Sequence, residues 1–140
     1  MEIKYTKQWF ILLGLLLGIT VTNGFARFAY GLMLPAMKAQ LDWNYAQAGW
    51  LNTVNALGYI LGAISTLFLV QRFTSVRLFV FGLITTSGVL FLTGVFPNLE
   101  AQYALRFFAG TFGAVSFSTA GALASGLFKK NEKLNAFSIA

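Results

Sequence analysis

The chain has 140 residues, 57% of them hydrophobic and only 10% charged, with a mean hydropathy of +0.70. Soluble domains carry about 25% charged residues, so this composition excludes an ordinary water-facing surface and indicates an all-α integral membrane protein. The net charge is +6 with no histidine and no cysteine, which removes disulfide frameworks, thiol nucleophiles and the common zinc sites.

The first apolar segment follows Lys4 and Lys7 and runs from Trp9 to Leu34, ending at Pro35. It continues past signal-peptide length, and no small-x-small cleavage site follows, so it reads as a retained helix. Gly14 and Gly18 make a small-xxx-small packing pattern within it. The same segment contains Gly24-Phe25-Ala26-Arg27-Phe28-Ala29-Tyr30. A charge at that depth costs about 2.5–3.5 kcal/mol on insertion scales, which makes Arg27 the first candidate for a functional residue. It lies about seven residues, or roughly 10 Å, inside the outer end of the helix.

A second span runs from Ala46 to Val70 and carries Asn52 and Asn55 on one face with Gly58 and Gly62. The amides can meet a substrate, although hydrogen bonding between helices is their commoner use. The loop after it holds Arg72 and Arg77. A third span runs from Leu78 to Phe96 and stops at the Pro97-Asn98 turn. The fourth, from Leu99 to Phe128, places Arg106 at a depth similar to that of Arg27. Gly110 follows one turn later on the same face, leaving room beside the guanidinium, and Gly113 continues the small-residue pattern. Two arginines at one level can frame an anion or a carboxylate, because the guanidinium fork matches it. The bland alternative is that each snorkels or bonds helix carbonyls. Residues 134–140 turn apolar again and start a fifth helix.

Basic residues punctuate the ends of the apolar runs and form no single patch, which argues against nucleic acid. One side has Lys4, Lys7, Arg72, Arg77, Lys129, Lys130 and Lys133; the other has Lys38 beside Asp42 and Glu100. The positive-inside rule then puts the N-terminus in the cytoplasm. Tyr5 and Trp9 mark the inner boundary, and Trp43, Tyr45 and Trp50 the outer one. No carboxylate lies in mid-span: Glu2, Asp42, Glu100 and Glu132 sit at ends. An intramembrane enzyme, a resident metal and a cofactor are therefore not expected. With protons as the coupling ion, the carboxylate must come from elsewhere or an arginine must modulate the coupling.

The stretch from Gly24 to Tyr30, followed by Leu34-Pro35, resembles a bacterial branch of the major facilitator superfamily that carries G-x-x-R-F-A-Y in helix one. Ala48-Gly49-Trp50-Leu51 and Asn55 to Ala63 are similar to helix two of that branch. Arg106 to Gly113 resembles the superfamily's helix-four motif R-x-x-x-G-x-x-G. The resemblance implies a twelve-helix fold in a bacterial inner membrane, of which this chain is the N-terminal third. It also implies alternating access around a midplane site, with helices one and four lining the cavity. The substrate would be a small organic solute, with an anion suited by the two arginines, and the missing helices or a partner chain would complete the carrier. In the loop after helix two, Gln71 and Thr74 replace the family's acidic residue and glycine, which weakens a charge-relay role there. Two other readings are a non-transporting assembly protein and a small four-helix exporter acting as an oligomer. The second lacks the glutamate that such exporters carry in helix one.

Overall fold

A computed structural model of the protein describes residues 2–127, with the side chains of residues 2–6 and 25–30 left outside the description. The fifth helix expected at 134–140 and the lysines Lys129, Lys130 and Lys133 lie outside the described residues. The described chain is helical almost throughout: α1 (Glu2–Ile19), a π-helical segment (Thr20–Phe25), α2 (Ala26–Leu41), α3 (Tyr45–Leu69), α4 (Ser75–Val95) and α5 (Leu99–Leu127). Among the described residues, α3, α4 and α5 are each long and apolar enough to cross a membrane.

The first apolar segment departs from its sequence expectation twice. It is interrupted by the π segment, and it passes through Pro35 to end at Leu41. Proline inside a helix removes one N–H and presses its ring toward the carbonyl four residues earlier. Here that residue is Gly31, and among the described residues nothing lies within 4 Å of where its Cβ would sit, so α2 has room to adjust. The true stop is a Schellman closure. Asp42 takes the left-handed conformation at φ 53°, and the Trp43 amide donates to the Lys38 carbonyl at 3.1 Å. Met37 packs with Trp43 in the cluster around Leu51, supplying the apolar contact usual for that motif. The Lys38 ammonium sits 3.7 Å from the Tyr45 ring centre, across the same corner.

Helix α3 opens with a capping box. The Gln47 amide donates to the Asn44 side chain at 2.8 Å, and the Asn44 amide donates to the Gln47 side chain at 2.9 Å. Helix α5 is the centre of the bundle: half of its most apolar stretch is buried, against 22% for α3 and 17% for α4. It packs along α3 on one side and α4 on the other, with α1 crossing its C-terminal half. Leu12 and Leu15 of α1 meet Ala120 and Ala124 of α5 there, and the Gln8 amide donates to the Leu127 carbonyl.

The corner between α4 and α5 depends on one side chain. Gln102 is fully buried, and its amide nitrogen donates to the carbonyls of Thr93 at 2.8 Å and Phe96 at 2.7 Å. Carbonyls of a last helical turn have no partner within the helix, so Gln102 supplies one. Gln102→Leu is expected to cost about 1–3 kcal/mol by stranding them. A lowered melting temperature of the detergent-solubilised protein would register the loss; an unchanged one would mean that water replaces the amide.

Candidate functional site

A pocket of about 770 Å³ opens between the π segment and α3, with Phe117 of α5 on its wall. Asn23 and Gly24 face it from the π segment, and Asn52, Thr53, Asn55, Ala56 and Tyr59 from α3. Three amides, two hydroxyls and two aromatic rings therefore converge in a chain that is otherwise mostly apolar. A second cavity of about 670 Å³, between α1, α4 and α5, is walled by side chains such as Leu15, Phe79, Leu83 and Leu123. It offers a solute almost nothing to hydrogen-bond, so it is a packing crevice.

The two asparagines singled out on α3 have different surroundings. Asn52 is exposed on the pocket wall and has no hydrogen-bond partner among the described residues. Asn55 donates its amide to the Arg106 carbonyl at 2.9 Å, joining α3 to α5. It therefore contributes to both the wall and the crossing.

Gly58, Gly62 and Gly110 make that crossing possible. A Cβ on Gly58 would stand 2.1 Å from the Phe107 carbonyl oxygen, and one on Gly62 2.1 Å from that of Thr111. A Cβ on Gly110 would stand 2.1 Å from the Asn55 oxygen. The room beside Arg106 at Gly110 is thus filled by the backbone of α3 rather than by a cavity. Gly18 also has close neighbours, but they are the side-chain tips of Phe79 and Leu83. Nothing lies within 4 Å of where a Cβ would sit on Gly14 or Gly113, so neither marks a close helix crossing among the described residues.

Arg106 is buried, at 5% exposure, and its side chain is not part of the pocket wall. Arg27 is the second residue of α2, one turn along the helix from Asn23; its side chain lies outside the described residues. The expected pairing of the two guanidiniums therefore lies outside the described residues. Arg72 and Arg77 are exposed at the turn between α3 and α4. No cluster of metal-ligating side chains occurs among the described residues.

Asn23, Thr53 and Tyr59 complete the wall and were not singled out in the sequence. Asn23 carried a usable signal, a carboxamide in the middle of an apolar segment, four residues from Arg27. Tyr59 carried none, because an aromatic residue in a membrane helix is ordinary packing.

The family of uncharacterised MFS-type transporters described by YbfB matches residues 19–138. The chain belongs to this family. No curated protein and no solved structure matches it. Membership makes it a major-facilitator membrane protein of a transporter family rather than an enzyme family. The match begins at the junction of α1 with the π segment, so the whole pocket wall falls within the family region.

Proposed function

We propose that this chain forms the solute-facing wall of a major-facilitator transporter in a bacterial inner membrane. Its four spans are α1 with the π segment and α2, then α3, α4 and α5, with the N-terminus cytoplasmic. Further helices, on the same or a partner chain, complete the cavity and permit alternating access. The supporting observation is the polar pocket between the π segment and α3. A concave site with a few convergent polar groups is the usual form of a small-molecule site.

The solute is a small organic molecule met by amide and hydroxyl groups. Asn52 offers it an amide that bonds no other described residue, and Asn55 links the wall to α5. An anionic solute fits if Arg27 shares the pocket, since its place on the helix is one turn beyond Asn23. Proton coupling would draw its carboxylate from outside the described residues, because none lines the pocket.

Asn52→Ala tests the assignment. Solute flux through the transporter containing this chain should fall about tenfold, the worth of one well-placed hydrogen bond. The melting temperature should not change, because Asn52 holds no other side chain or backbone group among the described residues. Asn55→Ala should instead destabilise the protein by about 0.6–2 kcal/mol through the lost interhelical bond. Unchanged flux in Asn52→Ala would remove this pocket as the solute site.

A further inference from the structure

The π segment has a consequence beyond shaping the pocket. Widening the ladder from i→i+4 to i→i+5 adds one residue to a helical turn. In this helix both flanks are fastened. On the N-terminal side Leu12, Leu15 and Ile19 pack against Ala120 and Ala124 of α5. On the C-terminal side Leu34, Met37 and Leu41 pack against Trp43 and Leu51. Closing the wide turn to ordinary α-helix with the same number of residues would turn one flank by about 100° relative to the other and pull it off its partners. The defect is trapped between the two anchors.

It is also cushioned where it sits. The Thr20 hydroxyl donates to the Leu16 carbonyl at 2.8 Å, and the buried Thr22 hydroxyl donates to the Gly18 carbonyl at 2.9 Å. Threonine hydroxyls can satisfy carbonyls that an irregular ladder leaves poorly paired in a membrane. A second irregularity waits at the far end of the stretch, where Pro35 lacks the N–H that the Gly31 carbonyl would otherwise accept. Between these two soft points lie residues 26–31, and on the near side Asn23 and Gly24 face the polar pocket.

We propose that the π turn is a movable register defect that travels along helix one between the Ile19 and Leu34 anchors. As it passes a residue, that residue rotates by about one helical position, or roughly 100°. Residue 27 lies within the path. Occupancy of the pocket at Asn23 can thereby be transmitted to residues 26–31 without moving either packed end of the helix. The device is bistable because each position of the turn keeps both anchors intact.

These 140 residues include no cysteine, so none of them adds background to a single introduced cysteine. Cysteines placed one at a time at positions 26–31 of the whole protein are reacted with a maleimide in membranes. The intact chain should show two reaction phases at most of these positions, because two registers coexist. Deleting Val21 removes one residue from the wide turn while leaving both anchors in phase. The deletion chain should show one phase and a single 3.6-residue periodicity. Thr22→Val keeps the length and removes one cushioning hydroxyl; the ratio of the two phases should shift about fivefold, the weight of a 1 kcal/mol hydrogen bond. The proposal is overturned if intact and deletion chains label alike, whether with one phase or two. Should the deletion chain fail to insert, an unchanged phase ratio in Thr22→Val overturns it. None of these readouts depends on solute flux, so they stand apart from the transport assignment.

Discussion

Gly62→Val should dismantle the pairing of α3 with α5, with a loss of about 3 kcal/mol or more. The ideal Cβ would lie 2.1 Å from the Thr111 carbonyl oxygen and 2.8 Å from that residue's carbonyl carbon and Cα. Those are backbone atoms of a regular helix, so no rotamer change can relieve the overlap. The helices would have to separate by roughly an ångström, which forfeits a large part of the dispersion energy along the seam. In lipid that energy is most of what holds helices together, because the surroundings are as apolar as the side chains. The separation would also stretch the bond from Asn55 to the Arg106 carbonyl. Gly58→Val should behave alike, since its Cβ meets the Phe107 carbonyl at the same 2.1 Å. Gly14→Ala is the matched control. Among the described residues nothing lies within 4 Å of its Cβ, and it should gain up to about 1 kcal/mol from helix propensity. Thermal unfolding in detergent, with resistance to protease as a second readout, distinguishes the outcomes. Equal stability of Gly62→Val and Gly14→Ala would mean that the two helices do not touch as described.

The contrast between those glycines shows what the amino-acid sequence reveals and what it hides. Gly14-xxx-Gly18 and Gly58-xxx-Gly62 are the same pattern, and both read as packing stripes. Only the second lies against another backbone, because a stripe of small residues says nothing about which element crosses it. The turn at Pro97-Asn98 was legible, since turn chemistry is local, whereas the capping box at Asn44 was passed over. Pro35 misled for the converse reason. Its local rule predicts a helix end, whereas the adjoining Gly31 and the Schellman closure at Asp42 let α2 continue to Leu41. The π segment left no local signature, since it follows from how two distant stretches of one helix are anchored by other helices. Within the candidate site, Asn52 and Asn55 were visible as amides sharing one face. Their division into a pocket amide and an interhelical bond was not, because it depends on the rotation of α3 against α5. Arg106 shows the same limit. Its place seven residues into the helix can be counted in the sequence, but its burial away from the pocket wall needed the packed structure.

Arg106→Met should separate the two purposes that a buried arginine can serve. The side chain is 5% exposed, within the helix that the rest of the bundle packs around. Arg106 has interaction partners within the bundle, so methionine keeps most of the side chain's volume but should lower stability by leaving those partners unmatched. Arg106→Ala would add a cavity to the same test, which makes methionine the cleaner variant. If the guanidinium acts in the transport cycle, flux should fall at least about a hundredfold in Arg106→Met, the loss of a charge-assisted interaction of about 3 kcal/mol. Arg106→Lys should not restore it, because an ammonium lacks the planar fork with which Arg can hold two partners at once. Membrane insertion should persist in all three variants, since removing or compacting one charge only eases entry into lipid. Flux retained in a stable Arg106→Met protein would reduce Arg106 to a packing residue. The transport role would then rest on the amides facing the pocket and on Arg27. Flux lost in Arg106→Met but regained in Arg106→Lys would point to a bare positive charge, and fork geometry would be irrelevant. Loss in both, with each variant still folded and inserted in the membrane, is the result that a transport role for the buried guanidinium requires.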